Sequence, residues 1–350
     1  MAGGRLLPGR LLIDLPNWVG DVIMTLPAVA RLLEANVGGS SVLHCRPPVQ
    51  RLLAELFPSA TVMASTRRAS PIASALRLAR GGRFALAVTF RHATRAKLLV
   101  RLAAHRTLGS RGDGSRLLLS RDFPVDRDRH QVRDMDGLLA ALGLPAVDVS
   151  RRPPIPAAVR AEGRALLERS RLRGVGPVGL APAAGWGLSK RWPAERFGAL
   201  ARCLDERGLA PVVLIGPGEA DVARTVCSAA GRDLPVLGEC LDVAALLGVI
   251  TGLDVLVGND SGPMHLAAMA GIPVVALFGP TDPGRTGPLW GEHVILRRRL
   301  ECSPCFEPDC PLRHHACLDE VEPEEVAAEI EHIAGRREPQ PTLPERVAEG

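Results

Sequence analysis

Three groups of residues in this chain have the types and spacing to do chemistry. The first is Asn259-Asp260-Ser261-Gly262, followed by Pro263-Met264-His265 and set between the apolar runs at residues 253–257 and 274–278. Apolar run, tight turn, small-residue helix and apolar run form a strand–helix–strand unit, whose helix start lies at the carboxyl edge of a parallel sheet. Unpaired N–H groups and the helix dipole favour an anion there, phosphate above all. Asp260 and Ser261 are cap-type residues, Gly262 lets a ligand approach the backbone, and His265 lies one turn further along. Helix capping by Asp260 or Ser261 and a half-buried structural His265 are the competing reading.

The second group is the loop Ala181-Pro-Ala-Ala-Gly185-Trp-Gly-Leu-Ser-Lys190, which ends in a cation just before Pro193 opens a helix. Its glycines, Gly185 among them, offer backbone N–H groups to a diphosphate, and Lys190 offers a point charge to balance that group as it leaves. The chain has only two lysines, Lys97 and Lys190, the remaining cations being arginines. At a third strand end, Glu219 follows Gly216-Pro-Gly and is placed either to accept hydrogen bonds from ribose hydroxyls or to start its helix.

The third group is near the start. An apolar strand at residues 10–15 runs through Pro16-Asn17-Trp18-Val19-Gly20 into a helix over 22–35, which puts Asp21 at or beside the helix start. A carboxylate there either complements the dipole or serves as a base over a cleft. Arg91-His-Ala-Thr-Arg95-Ala-Lys97 begins where another strand ends, so Arg91, Arg95 and Lys97 are candidates for an acidic partner. A separate cluster, Cys302, Cys305, Cys310 and Cys317, is spaced C-x2-C-x4-C-x6-C beside His314 and His315. It reads as a structural zinc site or as reduced thiols.

The elements that position these residues alternate strand and helix twice over. Strands at 41–45, 60–63, 84–90 and 105–109 alternate with helices at 49–56, 70–79 and 94–102, and a further helix spans 131–142. Arg151-Arg-Pro-Pro-Ile-Pro156 is a proline-stiffened linker. The second alternation comprises strands at 178–182 and 211–215 and helices at 193–207, 219–230 and 243–250 before the first group above. The fold class is therefore α/β, with parallel sheets covered on both faces. Residues 1–155 form one domain, 156–335 a second, and 336–350 a polar tail expected to be disordered.

At 350 residues the chain is long enough for two such domains. No segment has the ~18 apolar residues of a membrane span, and the first residues lack a signal peptide's pattern, so a cytoplasmic protein is expected. Residues 1–150 carry 21 Lys or Arg against 11 Asp or Glu, a net +10 in a chain of net +5. That basic half suits an anionic partner: phosphorylated lipid, membrane surface or nucleic acid.

The motifs resemble glycosyltransferase family 9, the bacterial ADP-heptose:lipopolysaccharide heptosyltransferases. The resemblance runs through Asn17-Trp-Val-Gly-Asp21, His105-Arg-Thr-Leu-Gly109, Lys190-Arg-Trp-Pro193, Asn259-Asp-Ser-Gly-Pro-Met-His265, Phe278-Gly-Pro-Thr281 and the cysteine tail. The Trp-Val-Gly-Asp form and the cysteines are most similar to the heptosyltransferase II branch. The resemblance implies a GT-B fold, two Rossmann-like domains facing across a cleft. It implies inverting transfer with Asp21 as base and Lys190 on the phosphates. Donor contacts would come from Gly185, Glu219, Asp260, Ser261, Gly262 and His265, and acceptor contacts from Gly20, Arg91, Arg95 and Lys97. The implied partners are ADP-heptose, the lipid-linked lipopolysaccharide inner core and the cytoplasmic surface of the inner membrane, with no nucleic acid and no required cofactor. Two other functions remain open at this stage: a GT-B nucleotide-sugar epimerase, and a non-catalytic module binding polyanions or a membrane surface.

Overall fold

The computed structural model describes residue 7 and residues 9–335 apart from 67, 171 and 173; the polar tail 336–350 lies outside the described residues. Six strands, β1 (Leu11–Asp14), β2 (Ser41–Cys45), β3 (Thr61–Ala64), β4 (Phe84–Thr89), β5 (Ala104–Ser110) and β6 (Arg121–Phe123), form one sheet. A second contains β7 (Val175–Ala181), β8 (Leu209–Leu214), β9 (Val236–Leu237), β10 (Val255–Asn259), β11 (Val274–Leu277) and β12 (His293–Leu296). The orders are β3-β2-β1-β4-β5-β6 and β12-β11-β10-β7-β8-β9, with every pairing parallel. Read from its own first strand, the second sheet repeats the topology of the first. The interior strands β1, β10 and β11 are buried along their whole length, which explains the apolar runs at 11–13, 255–257 and 274–277.

In each sheet the strand order reverses once, between β1 and β4 and between β7 and β10. Helices leave in opposite directions at such a point and open a crevice beyond the carboxyl ends of the strands. Asp21 and Arg91 follow β1 and β4; Lys190 and Asp260 follow β7 and β10. All the principal candidates thus belong to the two switch points, as the GT-B reading requires.

The helix after β1 spans Val19–Ala35, three residues longer than expected at its start, so Asp21 falls in its first turn. Its N-terminus meets that of the helix Gly262–Ala270 head to head. A Cβ on Gly20 would stand 2.6 Å from His265 Cδ2, and one on Gly262 would stand 3.0 Å from Val19 Cβ. The absence of side chains at both positions is what lets the two helix starts share one cleft.

Several elements escaped the sequence reading: β6, β9, β12, the helix Ala157–Arg169 and the terminal helix Pro323–Gly335. The helix Ala157–Arg169 packs on the helix Val243–Ile250 by backbone contact. A Cβ on Gly163 would stand 1.8 Å from the carbonyl carbon of Gly248.

Candidate active site

One cleft of about 800 Å³ is lined from the first half by Trp18, Gly20 and Asp21 and from the second by Gly185, Lys190, Glu219, Asp260, Ser261, Gly262 and His265. The structure therefore brings together the expected base and every expected donor contact. Lys190 ends a short 3-10 turn, Leu188–Lys190, and its Nζ donates to Asp260 Oδ2 at 2.6 Å. The same carboxylate oxygen accepts from Thr281 Oγ1 at 2.7 Å and Thr286 Oγ1 at 3.2 Å. Lys190 Nζ also stands 5.1 Å from the centre of the Trp186 ring. Asn259, fully buried at the end of β10, ties the Lys190 loop to the Asp260 turn: its Oδ1 accepts from Trp192 N and its Nδ2 donates to Pro182 O.

Ser261 occupies the N-cap position of the helix Gly262–Ala270 without a side-chain capping bond, and its buried Oγ has no hydrogen-bond partner among the described residues. The capping reading of Ser261 is thereby overturned. A buried hydroxyl without a partner, beside free helix N–H groups, is an arrangement a ligand oxygen completes. Glu219 accepts from Gly216 N through Oε2 at 2.6 Å, leaving its other oxygen for a hydroxyl in the cleft.

Burial raises the Asp21 carboxyl above the ordinary aspartate range. The Gln131 amide and the Lys190 charge pull against that rise, while Asp260 adds to it. A half-buried carboxylate with a raised pKa, in a cleft opposite an anion site, is suited to take a proton from a hydroxyl.

Burial pushes the His265 imidazole from 6.5 down to about 4, against the pull of Asp260, whose Oδ1 is 4.0 Å from Nε2. Between those two pH values the unfolded chain holds a proton that the folded chain lacks, so stability rises with pH across that window. Acidification from pH 6.5 to 4 is expected to cost up to about 3 kcal/mol through this residue. His265→Gln should flatten that part of the pH dependence in urea melts; an unchanged slope would exclude the histidine as its source.

The acceptor candidates divide. Gly20 lines the cleft, but Arg91, Arg95 and Lys97 do not. Arg91 is turned inward, its Nε donating to Leu15 O at 2.6 Å and its guanidinium pairing with the buried Asp14. Arg95 is exposed and donates to Ala69 O. Lys97 corrects the sequence reading: it is fully buried, because its place in the helix Thr94–Ala103 is on the packed face with Ala96 and Val100, and its Nζ donates to Asp113 O at 3.1 Å. That ammonium secures a loop instead of facing a ligand.

Cys302, Cys305, Cys310 and Cys317 gather with His314 and His315 around one small cavity. Burial, followed by the neighbouring Cys310, Cys305 and Cys302, pushes the Cys317 thiol up to about 11. Burial also opposes the Cys310 thiolate, but backbone N–H groups of residues 312–315 outweigh it and bring that thiol below its usual value. Among the described residues no group of three His, Cys, Asp or Glu side chains is arranged to hold a metal ion. What the segment does is support the Lys190 loop. Pro308 O accepts from Ser189 N at 3.1 Å, Glu307 O accepts from Ser189 Oγ at 2.5 Å, and a Cβ on Gly187 would stand 2.2 Å from Pro308 O.

Thr286 and Gln131 are site residues that sequence reasoning missed, and Trp18 and Thr281 are motif residues to which it gave no role. Gln131 Nε2 donates to Asp21 Oδ1 at 3.0 Å across 110 residues of chain, a separation that no local pattern reports.

Residues 74–316 match the profile of glycosyltransferase family 9 (heptosyltransferase). The chain belongs to that family. Lipooligosaccharide heptosyltransferase 2 of Campylobacter jejuni is 25% identical to this transferase over 339 residues, covering 93% of this chain and 99% of the relative. Lipopolysaccharide heptosyltransferase 2 of Salmonella typhimurium is 27% identical over 352 residues, covering 93% and 98%. The fold of the transferase is that of E. coli ADP-heptose lipopolysaccharide heptosyltransferase II, with a TM-score of 0.76, 20% identity and coverage of 93% and 99%. It is equally that of a family 9 glycosyl transferase from Veillonella parvula, with a TM-score of 0.81, 20% identity and coverage of 95% and 100%. Two parallel six-stranded sheets facing across a cleft are the GT-B architecture of these enzymes.

Proposed function

We propose that this transferase moves L-glycero-D-manno-heptose from ADP-heptose to the heptose already on the lipid-linked inner core of lipopolysaccharide, inverting the anomeric centre. The reading rests on Asp21 and Lys190 lining one cleft from opposite sheets. Asp21 takes the proton of the acceptor hydroxyl as its oxygen attacks the anomeric carbon. The bond from that carbon to the diphosphate breaks, the electron pair leaves with ADP, and Lys190 with the Gly262 N–H balances the charge. That chemistry makes no demand on the cysteines. Incubation with ADP-heptose and a heptosyl-Kdo2-lipid A acceptor should release ADP only when both are present. Conversion of the sugar nucleotide without acceptor would replace the transferase reading with an epimerase, and polyanion binding without ADP release would replace it with a binding module.

A lipid-linked acceptor puts the enzyme at the cytoplasmic face of the inner membrane. Residues 61–120 carry twelve Lys or Arg against a single Asp. Ile72, Leu76, Leu102 and Leu117, all in this part of the chain, are 55%, 69%, 42% and 86% exposed. No helix among the described residues is long and apolar enough to cross a membrane, so attachment is peripheral in this reading. Cations near an anionic bilayer contribute about 1 kcal/mol each, and exposed aliphatic side chains add their burial at the headgroup boundary. Sedimentation with phosphatidylglycerol vesicles, but not with phosphatidylcholine vesicles, is expected. Ile72→Glu with Leu76→Glu should reduce it several-fold; equal sedimentation with both vesicle types would remove the role of the cations, and no sedimentation with either would count against a membrane role.

A further inference from the structure

Asp21 does not stand alone in the cleft wall. Gln131 Nε2 donates to its Oδ1, and among the described residues Oδ2 has no hydrogen bond. Gln131 begins a short turn, Gln131–Arg133, in the first half of the chain, yet that turn is fastened to the second half on both sides. Before it, His130 Nδ1 accepts from Val132 N, which leaves the proton on Nε2, and Nε2 donates to Gly287 O at 3.1 Å. After it, the buried Asp134 carboxylate takes both ends of the Arg285 guanidinium at 2.8 and 2.6 Å. Arg285 also donates to Asp126 O and Arg129 O. Between Arg285 and Gly287 stands Thr286, whose hydroxyl bonds the Asp260 oxygen that holds Lys190.

We infer that Gln131 is the positioning residue of the proton acceptor: it fixes one oxygen of Asp21, leaves the other for the acceptor hydroxyl, and is itself held by the half of the enzyme that binds the donor. The inference rests on Asp21 being the base. Its physical content is simple. An amide N–H that donates to a carboxylate favours the ionised form and fixes its plane, and the plane decides which lone pair meets the hydroxyl. Gln131 is uncharged, so it does this without adding a charge to a site already facing Lys190, Asp260 and His92, with His265 packed against Gly20. The route Lys190–Asp260–Thr286–Arg285–Asp134 is a continuous series of direct contacts and one peptide link, and Asp134 N donates to Gln131 O, so displacement of the donor half would be felt at the base.

The test is the acid limb of kcat/KM for heptosyl transfer, which reports ionisation of the base in the free enzyme. Gln131→Leu removes the donor at similar volume and should move that limb up by about one pH unit, with kcat about tenfold lower and the KM for ADP-heptose within about twofold of wild type. Gln131→Glu sets a like charge against Asp21 and should move the limb further in the same direction. A purely structural glutamine would lower the melting temperature and the active fraction without moving the limb. Coincident limbs in wild type and both variants would therefore overturn the proposal, and the two substitutions perturb folding differently enough that one remains readable. Asp21→Asn separates the two levels. Transfer that survives it with an unchanged acid limb removes the base reading and this proposal with it. Transfer abolished in Asp21→Asn, with an unmoved limb in the Gln131 variants, removes the positioning role alone.

Discussion

Asp21→Asn is expected to lower kcat for heptosyl transfer by roughly 10²–10⁴-fold, the scale of a lost general base, while ADP binds as before. The substitution keeps the shape of the side chain, and the new amide oxygen still accepts from Gln131 Nε2, which lies 3.0 Å from Oδ1. The helix start is therefore preserved and proton acceptance is removed. Wild-type activity should fall as the pH drops through the Asp21 pKa, because only the ionised carboxylate accepts a proton. Burial raises that pKa, so the fall begins above the usual aspartate range. The residual activity of Asp21→Asn should lack this acid limb. Near-wild-type transfer would leave Asp21 as nothing more than a helix-start carboxylate.

What could be read from sequence follows from how locally each feature is encoded. The unit around Asn259–His265 was legible because apolar runs, glycine and a small-residue helix follow one another within thirty residues. Asp21 and Lys190 were legible for the same reason, each at the end of a strand that enters a glycine turn. The helix Ala157–Arg169 was not: it packs through Gly163 against the backbone of Gly248, so it lacks the large apolar stripe by which a helix is recognised. Lys97 was misread because position after a strand says nothing about helical phase, and its phase put it among buried neighbours with Asp113 O as partner. Gln131, Thr281 and Thr286 reach the site only through tertiary packing. The chain around the cysteines braces Ser189 and, through it, the turn that carries Lys190, a role that spacing alone does not report.

That turn yields the second large effect. Lys190→Met should reduce kcat by about 10²–10³-fold, since the charge that develops on the departing diphosphate loses its nearest cation. Lys190→Arg should not restore activity: beside Asp260 Oδ2 at 2.6 Å and the Trp186 ring at 5.1 Å a guanidinium pairs bidentately with the carboxylate and stacks on the ring, which draws its charge away from the diphosphate. Loss of the cation also leaves Asp260, 6% exposed, with hydroxyl partners only. An unpaired buried carboxylate of this kind costs about 3–5 kcal/mol, so Lys190→Met should also be less stable to urea. Adding Asp260→Asn removes the stranded charge, and the double variant should regain much of that stability while transfer stays lost. Recovery of stability without recovery of kcat, with Asp260→Asn alone retaining transfer, assigns Lys190 to the reaction. Recovery of both would mean that the lysine serves only to neutralise Asp260, and that the helix start at Gly262 holds the diphosphate without it.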